Sequence, residues 1–282
     1  MRCPDRILAA FALALLTCAG PVLAAADAVR AEAAAKLKSD LPSLAPADYV
    51  LGSAAFDAEL RSQLAENANA ATTSGVLEAG RAAWTRKFKN GRTLASCFPN
   101  GGRRIAGAYP QYDARLKRVV TLETAINQCL KTNAEPLLDI DDGKSMGAVT
   151  AYVRSLSQNQ KVAVRVPAAA EAAFDQGRRL YTTRMGQQNW ACASCHVQGA
   201  GKRYAGQPLS PAIGQGASSV VIRGGQAVTL QARVRECLER MGVAPFAAGS
   251  DELNNLEYYL TYLSNGLALQ ASPWRAPRAT RG

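Results

Sequence analysis

The strongest hydrophobic signal of the chain is a short apolar run near its N-terminus. An unbroken apolar run from Ile7 to Leu16 follows a basic beginning, and small residues up to Ala24 come after it. This pattern is typical of a secretory leader over residues 1–24, because the run is too short to cross a bilayer. The alternative is a retained anchor helix. No later segment reaches the roughly 20 apolar residues of a membrane span, so we expect no such span.

Helical spacing dominates the segment after the leader. Val29, Ala33 and Leu37 recur every four residues, which predicts a helix in an alanine-rich extension over residues 25–72. Further along, Gln158 to Pro167 is polar, lacks clear periodicity and ends in proline, so it predicts a linker. The last residues are rich in proline and arginine, which predicts a mobile or partner-bound tail.

The chain contains an internal repeat in three ordered blocks. The matched pairs are 94–98 with 192–196, 121–130 with 229–238, and 151–157 with 258–264. A Gly-Arg pair precedes each copy, at Gly80 and Gly177. The blocks predict two copies of one helical unit. The predicted divisions are a leader (1–24), an extension (25–72), a first unit (73–160), a second unit (168–270) and a tail (271–282).

The second unit carries the attachment pattern of a c-type haem. Cys192 and Cys195 are three residues apart and reach the two vinyl groups, while His196 supplies imidazole to the iron. The alternatives are a redox-active thiol pair and half of a zinc site, but no second closely spaced pair supplies further zinc ligands. The chain has one histidine, which excludes a bis-histidine haem. We therefore predict one covalently bound haem c.

The second axial ligand stays open from the local sequence. Apart from the leader, the methionines are Met146, Met185 and Met241, and Cys237 lies one turn before Met241 on the same helical face. Nothing in the local sequence chooses between Cys237 and Met241. The repeat favours Cys237. Its counterpart Cys129 is still a cysteine in a unit that has lost its haem pattern, which suggests that this position is a ligand position.

The first unit predicts a disulfide in place of a cofactor. Leu94 stands where the first thioether cysteine belongs, and Phe98 stands where the histidine belongs. Cys97 and Cys129 remain at positions that face the haem in an intact unit. In an oxidising compartment we expect them to pair and to stabilise the fold by about 3 kcal/mol. The alternative is two buried free thiols.

Arg233 is a charged residue that only the second unit has, because its counterpart in the first unit is Ala125. It lies one turn before Cys237, so its guanidinium is a candidate for holding an anion beside the sulfur. The alternative is an exposed helix face. The formal charge of +11 is not accompanied by the interleaved aromatic residues of a nucleic-acid surface, so we expect no nucleic-acid partner.

The duplicated unit, the motif at 192–196 and the stretch from Arg233 to Gly242 resemble the SoxA family, the larger subunit of the SoxAX cytochrome. The resemblance covers roughly residues 75–270. It implies a mainly α fold with two tandem cytochrome c-like domains, the first lacking haem, and an N-terminal helical extension. It also implies the mono-haem type of the family.

Carried over by position, the resemblance implies His196 and Cys237 as the axial iron ligands. Cys237 is then also the catalytic cysteine, found as a persulfide in the family, Arg233 binds substrate, and Met241 is not a ligand. The implied activity is that of a periplasmic L-cysteine S-thiosulfotransferase, which conjugates thiosulfate to a cysteine of a SoxYZ-like carrier. The implied partners are a SoxX-like cytochrome subunit in a heterodimer and an acceptor cytochrome c. The competing interpretations are an electron-transfer subunit with Met241 on the iron, and a scaffold whose partner carries the chemistry.

Overall fold

The computed structural model describes residues 24–68 and 70–276. Its α-helices, in chain order, are α1 (Ala24–Asp40), α2 (Ala58–Asn67), α3 (Ala71–Thr85), α4 (Leu122–Thr132), α5 (Met146–Ser155), α6 (Glu171–Thr182), α7 (Cys192–His196), α8 (Leu230–Arg240) and α9 (Asp251–Leu263). The strands are β1 (Gln111–Asp113), β2 (Arg118–Val120), β3 (Arg203–Tyr204), β4 (Gln207–Pro208), β5 (Val221–Arg223) and β6 (Gln226–Val228), and they pair consecutively as three antiparallel hairpins. The predicted leader lies outside the described residues except for Ala24, and so does the tail from residue 277.

The order of elements repeats along the chain. The first unit consists of α3, the β1–β2 hairpin, α4 and α5, and the second consists of α6, the β5–β6 hairpin, α8 and α9. In each unit the first helix packs against the last, α3 on α5 and α6 on α9. The described chain is therefore mainly helical, with two similar units in tandem. Every described helix is too short or too polar to cross a bilayer.

Equivalent threonines begin the helices that carry the second cysteine of each unit. Thr121 Oγ1 accepts a hydrogen bond from the backbone N–H of Thr124 at 3.2 Å, and Thr229 Oγ1 accepts one from Ala232 at 3.1 Å. Such N-caps satisfy backbone donors that have no partner within the helix. They set where α4 and α8 begin and so place Cys129 and Cys237 near the helix ends.

Each unit has an apolar interior rich in aromatic side chains. In the first unit Trp84 packs against Phe98, with ring centroids 5.1 Å apart. In the second unit Phe174 lies edge-on to Tyr262 at 5.3 Å. The extension packs on the second unit, where the hydroxyl of Tyr262 donates to Asp27 Oδ1 at 2.8 Å. Helix α1 of the N-terminal extension thus packs on the second unit, where Ala26 and Leu37 join its core.

The predicted linker packs into the core. Val162, Val164 and Val166 are buried, and the backbone N–H of Val162 donates to the carbonyl of Leu267 at 3.0 Å. Exposed residues alternate with these valines, so the segment has one buried face, as an extended strand does. The segment between the units is therefore ordered by the second unit.

The start of the tail also differs from expectation. Trp274 forms a parallel bridge with Ile222, and the backbone N–H of Arg275 donates to the carbonyl of Ile222 at 2.8 Å. Residues 271–276 therefore lie against β5 within the molecule, where we expected a mobile or partner-bound segment. These hydrogen bonds hold the chain end at the wall of the second unit.

Candidate haem site

The structure brings the predicted haem and sulfur residues of the second unit around one cavity. The cavity has a volume of about 290 Å³, and its lining includes Cys192, Cys195 and His196 from α7. Cys237 and Arg233 line it from α8. The two helices approach it from different parts of the chain, so the second unit folds around a space between the predicted proximal and distal residues.

His196 is oriented by the segment that follows α7. Its Nδ1 lies 2.8 Å from the carbonyl oxygen of Ser210, which accepts a hydrogen bond from Nδ1–H. The backbone of this segment also returns to α7, because Ala212 N–H donates to the carbonyl of His196 at 2.9 Å. The amide nitrogen of Gln215 also lies 3.0 Å from Nδ1. A histidine whose Nδ1 is held by such partners is oriented to bind a metal through Nε2.

Both sulfur side chains that the sequence offers as the distal ligand line the cavity. Cys237 lies in the last turn of α8 and Met241 directly follows that helix, and both line the cavity. Met146 is fully buried in the core of the first unit, and Met185 lies outside the cavity lining. The sulfurs of Cys237 and Met241 therefore line the same cavity as His196.

The sulfurs and a buried hydroxyl group surround the same space. Burial raises the pKa of the Cys192 thiol to about 12, and the nearby Cys237 adds to this shift. Burial, with the three cysteines of the site close by, also raises the pKa of Tyr181 well above its ordinary value. Tyr181 Oη is buried and has no hydrogen-bond partner among the described residues. The cavity thus combines thiols, an oriented imidazole and an unsatisfied buried donor.

This donor set fits a c-type haem. The two thiols of α7 stand beside the imidazole of His196, and the sulfurs of Cys237 and Met241 line the same cavity. The unsatisfied hydroxyl of Tyr181 is a further indication that a polar or metal-bearing group belongs in this space. Cys192 and Cys195 would attach the haem, and His196 would bind its iron.

Arg233 is held at the cavity wall by backbone carbonyls. Its Nη2 donates to Ser218 O at 2.7 Å and to Ser219 O at 3.2 Å. These bonds fix the guanidinium one helical turn before Cys237. Arg235, two residues further on, turns away from the cavity and forms an ion pair with Asp141. The structure therefore separates the two arginines as the helical spacing indicates.

The corresponding place in the first unit contains a disulfide. Cys97 and Cys129 are bonded, with their Cα atoms 6.1 Å apart, which is the predicted pair. The side chains of Leu94 and Phe98 are buried beside it. Asn133 Nδ2 donates to the carbonyl of Cys129 at 2.8 Å and closes the end of α4. Apolar side chains and a crosslink thus occupy the position of the second unit's haem residues.

Comparisons with known proteins agree with this geometry. Residues 79–162 and 176–269 match the family model described as SoxA/TsdA, cytochrome c domain. The chain belongs to this family. Its relatives include the L-cysteine S-thiosulfotransferase subunit SoxA of Chlorobaculum tepidum, which is 37% identical over 82% of this chain and 81% of the relative. The subunit of the same name from Allochromatium vinosum is 33% identical over 89% of this chain and 90% of the relative.

A solved structure shows the same architecture. The crystal structure of SoxXA from P. pantotrophus aligns with a TM-score of 0.67 and 25% identity, over 73% of this chain and 79% of that chain. Family membership and this alignment confirm the predicted fold class, mainly α with two tandem cytochrome c-like domains. They confirm the resemblance to SoxA and a haem c-binding domain. The number of haems and the roles of Cys237 and Arg233 stay predictions.

Several residues of the site escaped the sequence analysis. Ser210 orients His196, Tyr181 points a hydroxyl into the site, and Arg275 lines the cavity from the chain end. None of them belongs to a local motif. They lie beyond the spacing of one helical turn from the haem residues, so only the fold brings them together.

Proposed function

We propose that the chain is the SoxA-type cytochrome subunit of a periplasmic enzyme that conjugates thiosulfate to a cysteine of a carrier protein. As a member of this family it is an enzyme subunit, an L-cysteine S-thiosulfotransferase. One observation carries the proposal: Cys237 and Arg233 line the same cavity as the haem-attachment motif. A sulfur and a cation therefore stand together on one side of the candidate haem site.

The proposed cofactor is one haem c held by the second unit. Cys192 and Cys195 attach it, and His196 and Cys237 are the axial ligands. When bound, the haem supplies an electron acceptor for the oxidation. The first unit lacks one of the two thiols and the imidazole that a second haem needs, because Leu94 and Phe98 replace them, and its remaining thiol position, Cys97, is bonded to Cys129.

The residues of the site suit a reaction between sulfur atoms. Joining thiosulfate to a carrier thiol forms one sulfur–sulfur bond and releases one proton and two electrons. Arg233, fixed by two carbonyls, would bind the sulfonate end of thiosulfate and orient its outer sulfur toward Cys237. Cys237, as thiolate or persulfide, would be the sulfur that exchanges with the incoming group. Electrons would pass to an acceptor cytochrome c.

The proposed partners follow from the family and from the charge of the chain. The solved relative is named SoxXA, so we propose a SoxX-like cytochrome subunit as the heterodimer partner. The chain carries a formal charge of +11, which would steer thiosulfate and an acidic SoxYZ-like carrier toward it. The leader-like pattern over residues 1–24 supports export to the periplasm.

A second candidate function rests on Met241. This side chain is 4% exposed and lines the cavity one turn beyond Cys237. If its thioether binds the iron, the chain is an electron-transfer subunit and Cys237 is a buried thiol. A thiolate-ligated iron has a low potential and a distinct ferric spectrum, whereas a thioether favours the ferrous state. The two candidates therefore differ in a measurable way.

The experiment compares Cys237→Ala with Met241→Leu in the haem-loaded complex. We expect Cys237→Ala to lower thiosulfate-dependent conjugation, read as the intact mass of the carrier, by roughly 10³-fold or more. It should also remove the ferric low-spin EPR signal of a sulfur anion. Met241→Leu should keep both. Loss of the low-spin signal in Met241→Leu alone, with conjugation intact in Cys237→Ala, would establish the electron-transfer function instead.

The same assay tests whether Arg233 binds thiosulfate, with the neighbouring Arg235 as the control. Arg233→Ala should lower kcat/KM for thiosulfate by about 10- to 100-fold, the cost of a lost charged hydrogen bond, and should leave the haem spectrum unchanged. Arg235→Ala removes an equal charge from the same helix but from the side that faces Asp141. It should change kcat/KM little. Equal effects of the two variants would mean that only net charge matters.

A further inference from the structure

Arg275 reaches the haem cavity from the far end of the chain. The bridge between Trp274 and Ile222 extends the β5–β6 hairpin by one strand, and the backbone of Arg275 is bound to Ile222. Arg275 lines the cavity together with Cys192, Cys195 and His196. Its position is thus set by regular hydrogen bonding of the main chain and not by its side chain alone.

The guanidinium of Arg275 donates hydrogen bonds to two backbone carbonyl groups, which are neutral. Nη2 of Arg275 donates to the carbonyl of Val50 at 2.9 Å, and Nη1 donates to its own neighbour, the carbonyl of Trp274, at 2.9 Å. Gly52 lies beside it, and a Cβ there would be 3.6 Å from Nε. Gly52 has φ +63, which favours glycine, so the extension is shaped to pass close to the arginine.

The arginine has no acidic counterpart among the described residues. None of the ion pairs in the described part of the chain includes Arg275. Burial lowers the pKa of Arg275 to about 10, and no carboxylate among the described residues opposes that shift. Arg154, the other arginine with a similar shift, has Glu123 and Glu257 near it. A half-buried cation at a cavity wall, without a counter-charge among the described residues, is a binding position for an anion.

The surroundings indicate which anion fits. The position that a Cβ at Gly52 would take is 3.6 Å from Arg275 and 3.8 Å from Ser210, so these two residues are neighbours. The carbonyl of Ser210 orients His196, so Arg275 lies close to the segment that holds the histidine, and the Val50 carbonyl that binds Arg275 also accepts from Ser218 Oγ at 2.9 Å. The thiosulfate candidates Arg233 and Cys237 come from α8 instead. The haem of the proposed function carries two propionate carboxylates, and a guanidinium binds a carboxylate through two parallel hydrogen bonds.

We propose that Arg275 is a cofactor-binding residue whose guanidinium pairs with a propionate carboxylate of the haem. This inference rests on the proposed covalent haem at Cys192 and Cys195. The remaining N–H donors of Arg275 bind the propionate, while Val50 and Trp274 hold the guanidinium in place through the other two. The C-terminal segment thereby closes the edge of the haem site and couples cofactor binding to the packing of the chain end.

Resonance Raman spectroscopy of the haem-loaded protein tests this pairing. The bending mode of a haem propionate moves to lower wavenumber when hydrogen bonds to its carboxylate are removed. We expect this shift in Arg275→Gln, with partial recovery in Arg275→Lys, which keeps the charge but not the planar fork. Arg240→Gln is the matched control, because Arg240 also lines the cavity but is exposed. It should leave the band in place.

The outcomes are distinct. Intact mass and the ferric spectrum first establish that each variant carries covalent haem, and a wild-type chain without covalent haem overturns both the haem assignment and this inference. A haem-loaded Arg275→Gln with the wild-type propionate band overturns this inference alone. An unmoved band together with a raised KM for thiosulfate also overturns it and assigns Arg275 to the substrate.

Discussion

At the scale of single residues, the same two positions serve different purposes in the two units. Cys97 and Cys129 correspond in the repeat to Cys195 and Cys237. In the first unit the two sulfurs are bonded and apolar side chains fill the space around them. In the second unit the equivalent sulfurs line a cavity of about 290 Å³. One backbone framework therefore supports either a crosslink or a cofactor site, depending on a few neighbouring side chains.

The crosslink has a measurable contribution to stability. The double variant Cys97→Ala/Cys129→Ala should lower the free energy of unfolding by about 3–4 kcal/mol, because the disulfide closes a loop with a sequence separation of 32. Denaturant unfolding of the haem-loaded protein measures the change. Reduction of the wild type before unfolding should reproduce most of it, and the haem spectrum of the folded variant should be unchanged. Equal midpoints for wild type and variant would contradict a stabilising role.

At the scale of elements, two glycines allow the helix pairs of both units to approach closely. A Cβ at Gly80 in α3 would lie 2.1 Å from the carbonyl oxygen of Ala148 in α5. A Cβ at Gly177 in α6 would lie 2.0 Å from the carbonyl oxygen of Asn255 in α9. These distances are far below van der Waals contact with backbone atoms that cannot easily move. The Gly-Arg pairs of the repeat thus mark the helix crossing of each unit.

The close approach of α6 and α9 predicts that two glycine-to-alanine substitutions will change the free energy of unfolding in opposite directions. Gly177→Ala should lower the free energy of unfolding by about 1–3 kcal/mol or more, because α6 and α9 must move apart. Gly75→Ala is the matched control in α3, where an added Cβ meets nothing within 4 Å. It should stabilise the chain by about 0.5–1 kcal/mol through helix propensity. Thermal unfolding of both variants measures the difference, and similar effects would refute the close crossing.

Sequence patterns predicted the parts of this fold whose signals are local. The haem motif was readable because the thiols and the imidazole lie within one helical turn, and the repeat revealed the pairing of Cys97 with Cys129. The role of Gly177 was not readable, because it depends on Asn255, in a different helix. The linker was misjudged by composition, although its alternating valines carried a strand signal of period two. Contacts between distant segments, such as Arg275 with Val50, require the fold itself.

At the scale of the whole molecule, the two units share a buried polar cluster. Arg154 of the first unit donates through Nη2 to the carbonyl of Ala217 in the second, at 2.7 Å. Glu123 of the first unit and Glu257 of the second are both buried near it. Gln231, which corresponds to Glu123 in the repeat, donates to Glu257 Oε2 at 3.1 Å. The first unit therefore contributes charged groups to the interior next to the haem unit.

This cluster connects the first unit to the cavity wall. The carbonyl of Ala217 is bound by Arg154, and those of the next two residues, Ser218 and Ser219, are bound by Arg233. Two arginines from different units thus hold one short segment beside the cavity. The first unit has no haem pattern, but it has a structural role here. Its Arg154 helps to hold the segment of the cavity wall that binds Arg233.

The buried carboxyl groups predict how stability depends on pH. Burial, with Glu123 close by, raises the pKa of Glu257 from 4.5 to about 8, and burial raises the pKa of Glu123 as well. Between these values the folded chain keeps the proton of Glu257 while the unfolded chain releases it. The contribution of Glu257 to the free energy of unfolding is therefore complete below a pH of 4.5 and is lost as the pH rises toward about 8.

Denaturant unfolding across this pH range tests the cluster through Glu257→Gln. The amide resembles the protonated acid, so the variant should lose most of the decline in stability that the wild type shows as the pH rises. Its advantage over the wild type should be greatest at the alkaline end, because there the wild type must bury a carboxylate beside a second acid. Glu239→Gln removes the same charge from an exposed position of α8 and should keep the wild-type slope. A wild-type stability that increases with pH would show that Arg154 and Arg233 keep the carboxylates ionised in the folded state.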